Sequence, residues 1–251
     1  MLAEERWSDI LKLLTEKGSV TVQQLCTVFD ASESTIRRDL LELDKLGKLH
    51  RVHGGATLLS GEYITDEATM SAKETLAVDQ KRSMAEYAAS LITAQDFVFI
   101  DAGSSTLLLA QCISGDALKA SYVTSGIAHA RILAQKGCRV YIPEGQIRPS
   151  TEAIVGAGAL ASLQKYNFTK SFIGTNGVSL TAGFTTPDVE EAQLKATAVH
   201  RSREAWFLAD DSKFDKIYAA VICNITEGSI ITNHLPETRY KGQTKIKETQ
   251  P

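Results

Sequence analysis

The sequence predicts an α+β protein of two domains, a small and mostly helical head followed by a larger α/β domain built on a mainly parallel sheet. Two observations carry this prediction. Three short amphipathic patterns and one alternating segment follow one another within the first 57 residues. From about residue 97 onward, short apolar runs typical of strands alternate with helical patterns. The length of 251 residues suits two unequal domains.

The composition is that of a soluble globular protein, with 43% hydrophobic and 23% charged residues and a formal net charge of −3. Such a chain has no basic coat for nucleic acid over the whole molecule, so DNA binding must rest on a local surface. The first residues are charged and no apolar run is long enough to span a membrane, so we expect a cytoplasmic protein without membrane contact. Four widely spaced cysteines favour reduced thiols, and we expect neither a metal nor a cofactor.

Three helices are predicted in the head. The first covers about residues 3–16, where apolar side chains recur at helical spacing. The second begins at Thr21, whose T-x-x-Q pattern is typical of a capping box, and the third begins after Ser32, a favourable N-cap. Only two residues separate the second helix from that cap, and so short a joint predicts the sharp angle of a helix-turn-helix.

The third helix and the segment after it carry groups that can read DNA. Hydroxyl and guanidinium groups near the helix N-terminus contact phosphates and guanine edges when such a helix enters the major groove. A solvated helical surface is the alternative. The alternating segment that ends in Gly54-Gly55 predicts a hairpin with a basic edge, the wing of a winged helix-turn-helix. The predicted DNA-binding residues are Ser34, Thr35, Arg37, Arg38 and Lys45 on the helix, with Arg51 and His53 on the wing.

The larger domain is predicted from its alternating apolar runs. The predicted strands are residues 97–101, 121–124, 138–142, 170–174, 204–209, 219–222 and 229–232. The predicted helices are residues 80–92, 106–113, 127–135, 158–166 and 189–200. The predicted domains are residues 1–57 (head), 58–73 (linker), 74–235 (ligand-binding domain) and 236–251 (a polar tail expected to be disordered).

Open α/β sheets bind ligands at the carboxyl ends of their strands. There, Asp101-Ala102-Gly103-Ser104-Ser105-Thr106 opens a helix, and its glycine, hydroxyls and helix N-terminus predict a phosphate cradle. An ordinary turn with a serine cap explains the same residues. Lys213 can neutralise a phosphate or form a surface salt bridge. Asp188 can cap a helix with Glu191 in its acidic first turn, or one of these two carboxylates can order a lid or bond sugar hydroxyls. The predicted effector-binding residues are Asp101, Gly103, Ser104, Ser105, Thr106, Thr124, Asn176, Gly177, Asp188 and Lys213.

Both domains resemble one family. The run S-E-S-T-I-R-R-D-L at residues 32–40, with R-V-H-G-G-A at 51–56, resembles the signature of DeoR-family repressors. The phosphate loop, Asn176-Gly177 and the D-x-S-K motif at 210–213 resemble the effector domain of that family, which is related to the ribose-5-phosphate isomerase and glucosamine-6-phosphate deaminase folds. After the third predicted strand of this domain, Glu144-Gly145 stands where the family usually has Gly-Gly. The resemblance implies a repressor, not an enzyme, that binds double-stranded operator DNA under control of a sugar phosphate. One small head buries too little surface to select a single genomic site, so we expect a homo-oligomer (dimer or tetramer).

Several functional alternatives stay open. Residues 151–156, 173–177 and 183–188 resemble most the fructose-operon repressors of Gram-positive bacteria, which implies fructose 1-phosphate as the effector. A lactose repressor that responds to tagatose phosphate is the nearest alternative. A sugar-phosphate isomerase or deaminase has the same fold class, and a nucleotide-binding regulator would use residues 156–161, which fit G-x-G-x-x-A.

Overall fold

The computed structural model describes residues 3–17, 19–46, 48–52, 54–57, 62–64, 70 and 75–249. The chain divides into two compact units, residues 1–62 with 237–239 and residues 63–236 with 240–251. Across the described ranges, no helix is both long enough and apolar enough to cross a membrane. His53 and most of the predicted linker lie outside the described residues.

The first unit contains three helices and a three-stranded antiparallel sheet of order β1-β3-β2. Its elements are α1 (Ala3–Lys17), β1 (Ser19–Thr21), α2 (Val22–Phe29), α3 (Glu33–Lys45), β2 (His50–Val52) and β3 (Gly55–Thr57). The three predicted helices and the wing hairpin are confirmed. The sequence did not reveal β1, because three residues are too few to show a periodic pattern.

The caps of the head helices form as their residue types predict. The Thr21 hydroxyl accepts a hydrogen bond from the Gln24 amide (3.1 Å), and the Gln24 side chain accepts one from the Thr21 amide (2.9 Å), which completes the capping box. Asp30 adopts a left-handed conformation (φ 48°) that turns the chain between α2 and α3. Ser32 then caps α3 by accepting a hydrogen bond from the Thr35 amide.

The second unit is the larger α/β domain. Because the division falls between residues 62 and 63, strand β4 (Glu62–Ile64) has its first residue in the first unit and the other two in the second. Its helices are α4 (Val78–Ser90), α5 (Ser104–Cys112), α6 (Ile127–Gln135), α7 (Ala157–Leu163) and α8 (Val189–His200). Its strands are β5 (Phe97–Ile100), β6 (Ser121–Thr124), β7 (Arg139–Tyr141), β8 (Gln146–Arg148), β9 (Ala153–Val155), β10 (Phe168–Gly174), β11 (Gly177–Ser179), β12 (Gly183–Thr186), β13 (Ser202–Leu208), β14 (Lys216–Tyr218), β15 (Ala220–Cys223), β16 (Ser229–Thr232) and β17 (Ile246–Glu248).

Seven strands form one parallel sheet of order β17-β16-β13-β10-β5-β6-β7, which confirms the predicted α/β architecture. Helices cover both faces of the sheet, and alternate residues of a strand point to opposite faces. On β5, Val98 and Ile100 pack with α4 and α5, whereas Phe99 packs with α7 and α8. The strand order reverses direction between β5 and β10, and a ligand crevice is expected at that point.

Two predictions about strands require correction. Residues 219–222 were expected to belong to the α/β alternation, but β15 pairs antiparallel with β12 in a separate three-stranded sheet. The G-x-G-x-x-A segment follows β9, which pairs antiparallel with β8 in a hairpin outside the parallel sheet. A nucleotide-binding loop of that pattern follows a strand of the parallel sheet, so the structure does not give this segment the required context.

The predicted disordered tail is also corrected, because residues 240–249 are ordered. Strand β17 pairs in parallel with β16 at the edge of the sheet, with Ile246 opposite Ile230. Tyr240 is fully buried, and its hydroxyl donates a hydrogen bond to the Asp215 carboxylate (2.6 Å). Single apolar residues spaced among lysines and threonines gave no hydrophobic run, so the sequence pattern did not reveal this strand.

Candidate DNA-binding surface and effector cavity

The outer face of α3 presents the predicted DNA-binding groups to solvent. Ser34, Arg38 and Lys45 are exposed and share one face of the helix, being four and then seven residues apart. Arg37 is also exposed, and its guanidinium lies 3.2 Å from the Glu33 carboxylate one turn earlier. Thr35 is half-buried, with its hydroxyl 2.9 Å from the Ser32 hydroxyl. The helix therefore offers hydroxyls and two arginines near its N-terminus.

A buried carboxylate, not predicted from the sequence, holds this helix in place. Asp39 lies on the inner side of α3 and accepts hydrogen bonds from the Arg6 guanidinium (2.6 and 3.1 Å) and the Trp7 indole (2.8 Å) of α1. Charge-assisted bonds of this kind are stronger than neutral ones and restrict orientation. The signal was present, because an aspartate on the stripe of Ile36 and Leu40 needs a buried partner.

The wing begins directly after α3 and is tied to its last turn. Arg51 is exposed on β2, and its backbone amide donates to the Asp44 carboxylate (3.0 Å). The Gly-Gly pair is explained by two constraints, because Gly54 has a φ of 85° and a side chain on Gly55 would lie 2.1 Å from the Val20 carbonyl oxygen. The placement of His53 stays a prediction, because His53 lies outside the described residues.

The second unit contains a cavity of about 300 Å³ at the carboxyl edge of the parallel sheet. The loops after β5, β10 and β13, three neighbouring strands, form its wall, which is the position expected from the reversal of strand order. Five of the predicted effector residues line it: Gly103, Ser104, Ser105, Asn176 and Lys213.

The N-terminus of α5 faces this cavity. Its N-cap is Gly103, so no side chain caps the first turn of the helix. Ser104 and Ser105 line the cavity with their amides in that first turn, where free N–H groups and the helix dipole attract anions. Across the cavity wall, the Lys213 ammonium lies 3.7 Å from the Asp210 carboxylate and its side chain is 31% exposed. The arrangement suits a phosphate group.

The predicted effector residue Asp101 does not line the cavity, and its carboxylate is already paired with a buried lysine. Its carboxylate forms an ion pair of 2.7 Å with the Lys195 ammonium, and both side chains are buried. The Gly174 amide donates to the same oxygen (3.0 Å), and Lys195 also donates to the Gly174 carbonyl (2.9 Å). This network joins β5, β10 and α8, which indicates that Asp101 shapes the cavity.

Four other predicted effector residues are not brought to the cavity. The Thr106 hydroxyl donates a hydrogen bond to the Asp101 carbonyl oxygen (2.7 Å) behind the loop. Thr124 is buried, and its hydroxyl accepts a hydrogen bond from the Gly126 amide (3.1 Å). Gly177 packs closely, because an added Cβ would lie 2.2 Å from a backbone oxygen. Asp188 caps α8 and lies 3.5 Å from a guanidinium, that of Arg148.

Two lysines that line the cavity were missed, and Glu191, named from the sequence as a candidate to bond sugar hydroxyls, lines it too. Lys195 of α8 and Lys81 of α4 are buried cations, and each interrupts an apolar helix face. Glu191, in the first turn of α8, accepts hydrogen bonds from the Thr151 hydroxyl (2.6 Å) and the Arg148 guanidinium (3.0 Å). Charged residues at core spacing on helices are rarely buried without a partner, so their positions held a usable signal.

The described residues contain no group of three His, Cys, Asp or Glu side chains that could hold a metal ion. Comparison with known families matches residues 6–62 to the DeoR-like helix-turn-helix domain and residues 76–234 to the DeoR C terminal sensor domain.

Similar proteins cover most or all of the chain. A relative from Bacillus subtilis described as the uncharacterized HTH-type transcriptional regulator FruR is 39% identical over 100% of both chains. A lactose phosphotransferase system repressor from Staphylococcus aureus is 34% identical over 90% of each. Among solved structures, a ribose 5-phosphate isomerase from Methanocaldococcus jannaschii matches 55% of this chain and 54% of its own, with 16% identity and a TM-score of 0.41.

Proposed function

The chain belongs to the DeoR family of transcriptional regulators, and from this premise we propose that it represses a sugar-utilisation operon, with operator affinity controlled by a phosphorylated sugar. We take fructose 1-phosphate as the effector, because residues 151–156, 173–177 and 183–188 resemble most the fructose-operon repressors. The observation that carries the effector proposal is the uncapped N-terminus of α5, which faces the same cavity as the Lys213 side chain.

The DNA-binding half rests on α3 and the wing. The exposed Ser34, Arg38 and Lys45 would face the major groove, and Arg51 would contact the flanking backbone or minor groove. One head of this size buries too little surface to select a single site in a genome, so at least a dimer on a repeated site is proposed.

The effector half follows from the chemistry of the cavity. A phosphate at the Ser104 and Ser105 amides would accept hydrogen bonds at the helix N-terminus, with Lys213 supplying a full positive charge. The Asn176 amide and the Glu191 carboxylate line the same cavity and suit sugar hydroxyls. Asp101 is better regarded as support for this site, because Lys195 and the Gly174 amide already occupy its carboxylate.

The arrangement also supports a regulator without turnover. The enzyme alternative would assemble Asp101, Asp188 and Lys213 around one substrate. In the structure, Asp101 is paired with Lys195, and Asp188 caps α8 without lining the cavity. A carboxylate base must reach the proton that it removes, and neither aspartate is placed to do so.

Replacing Lys213 by alanine is expected to weaken fructose 1-phosphate binding about tenfold, because one charge-assisted hydrogen bond to phosphate is lost. The affinity for free fructose should not change, since that sugar has no phosphate. The measurement is calorimetric titration of the parent and the variant with both sugars and with tagatose 6-phosphate.

The matched control is Lys216→Ala, which removes the same charge from a residue that does not line the cavity. An equal loss of fructose 1-phosphate affinity in both variants would show that Lys213 does not bind the phosphate. Equal affinity of the parent for free and phosphorylated fructose would show that the cavity has no phosphate site. Tighter binding of tagatose 6-phosphate than of fructose 1-phosphate would identify the effector as that of the alternative repressor.

A further inference from the structure

A buried histidine lies directly behind the start of α5. His129, on α6, is only 2% exposed and does not line the cavity. Its Nε2 atom lies 3.1 Å from the Gly103 carbonyl oxygen and 3.2 Å from the Thr106 hydroxyl. Gly103 is the N-cap residue of α5, so this imidazole contacts the backbone that presents the first-turn amides to the cavity.

The imidazole is neutral at physiological pH, since burial lowers the pKa of His129 to about 4. A neutral ring carries one N–H, and Nε2 lies 3.1 Å from the Gly103 carbonyl oxygen and 3.4 Å from the Gly103 amide nitrogen, so it can donate to the carbonyl in one tautomer and accept from the amide in the other. The other nitrogen, Nδ1, is buried and makes no hydrogen bond with the described residues. All polar contacts of the ring therefore go to the loop after β5.

Gly126 supports the ring from its other side. A Cβ atom added at Gly126 would lie 2.2 Å from Nδ1 of His129, and its three nearest atoms all belong to that ring. Gly126 has a φ of −93°, which any residue adopts, so the glycine is required by the nearby imidazole and not by its own backbone. Residues 126 and 129 thus form a second layer beneath the phosphate cradle.

We infer that His129 is a positioning residue for the effector site, which holds the Gly103 carbonyl and the Thr106 hydroxyl so that the α5 amides converge on the ligand phosphate. The inference rests on the proposed function, because it assigns a role at the same site. It explains why Thr106 belongs to the motif without touching the cavity: its hydroxyl joins the imidazole to the Asp101 carbonyl. Such outer contacts fix the geometry of groups that touch the ligand.

The test uses two substitutions that mimic different ring nitrogens. The amide nitrogen of glutamine reaches about as far as Nε2, so His129→Gln can still donate to the Gly103 carbonyl. The shorter asparagine reaches only as far as Nδ1, so His129→Asn cannot. We expect His129→Asn to weaken fructose 1-phosphate binding about tenfold, as for one lost hydrogen bond, and His129→Gln to stay within about twofold of the parent.

A double-mutant cycle gives an independent measurement. Gly126→Ala should weaken fructose 1-phosphate binding in the parent, because the new methyl group displaces the ring. The same substitution should have no further effect in a His129→Ala background, where no ring is left to displace. Melting temperature and operator binding are measured for every variant to show that both domains are folded.

The outcomes separate this inference from the proposed function. A parent that binds fructose 1-phosphate while the Gln and Asn variants lose affinity equally, in proportion to lost stability, would make His129 a structural residue only and leave the proposed function standing. Additive effects in the Gly126 cycle would overturn the inference in the same way. A parent that binds no sugar phosphate at all would overturn the proposed function and this inference together.

Discussion

Replacing Lys195 by alanine is expected to lower the free energy of unfolding by about 3–5 kcal/mol, because the substitution leaves the Asp101 carboxylate buried without its counter-ion. Both side chains of this pair are at most 5% exposed, so the carboxylate would be left in largely buried surroundings. Thermal or urea unfolding of the effector domain measures the effect. The cavity should lose its shape as well, since Lys195 also binds the Gly174 carbonyl.

The control is a double variant, Asp101→Asn with Lys195→Met. It removes both charges, while the asparagine side-chain oxygen can still accept the hydrogen bond from the Gly174 amide. Replacing both members of a buried ion pair is usually far less costly than removing one, so the double variant should be more stable than Lys195→Ala. If Lys195→Ala unfolds at the same temperature as the parent, the pair does not support the sheet edge as described.

Replacing Arg38 by alanine is expected to weaken operator binding by about 5- to 150-fold, the range for loss of a bidentate guanine contact of ~1–3 kcal/mol. Arg38 is exposed beside Ser34, and the described residues give it no ion-pair partner. Arg37→Ala should also weaken binding but by less, because its guanidinium already pairs with Glu33. The measurement is the affinity for operator and for unrelated duplex DNA of equal length at one salt concentration.

Lys12→Ala is the matched control, because it removes an exposed positive charge from α1, outside the predicted DNA-binding face. Loss of a base contact lowers operator affinity selectively, whereas loss of a phosphate contact weakens binding to both duplexes alike. Parent-like operator binding by both Arg37→Ala and Arg38→Ala would show that α3 is not the recognition helix.

Local patterns predicted the fold well, because caps and periodicity depend on neighbouring residues. Thr21 and Ser32 cap their helices as their residue types indicate, and the helix at 189–200 ends where its apolar pattern ends. Such local patterns did not reveal the short β1 or the edge strand β17, which are held in place by pairing with β3 and β16. Propensity cannot reveal such tertiary support.

The site was predicted only in part for the same physical reason. The sequence placed Ser104, Ser105 and Asn176 at strand ends, and these residues do line the cavity. It could not show that Asp101 is paired with Lys195, a residue 94 positions away. A lysine inside an apolar helix face indicates a buried partner, but only the fold identifies which carboxylate that partner is.

The central claim is that a sugar phosphate and operator DNA control each other's binding. It is tested most directly by titrating fructose 1-phosphate into the full-length protein, with and without saturating operator. If the ligand favours a state that fits the operator poorly, operator must weaken ligand binding by the factor by which ligand weakens operator binding, typically about 5- to 150-fold. The account predicts equal and reciprocal factors within that range. An affinity for fructose 1-phosphate that is the same with and without operator would contradict it.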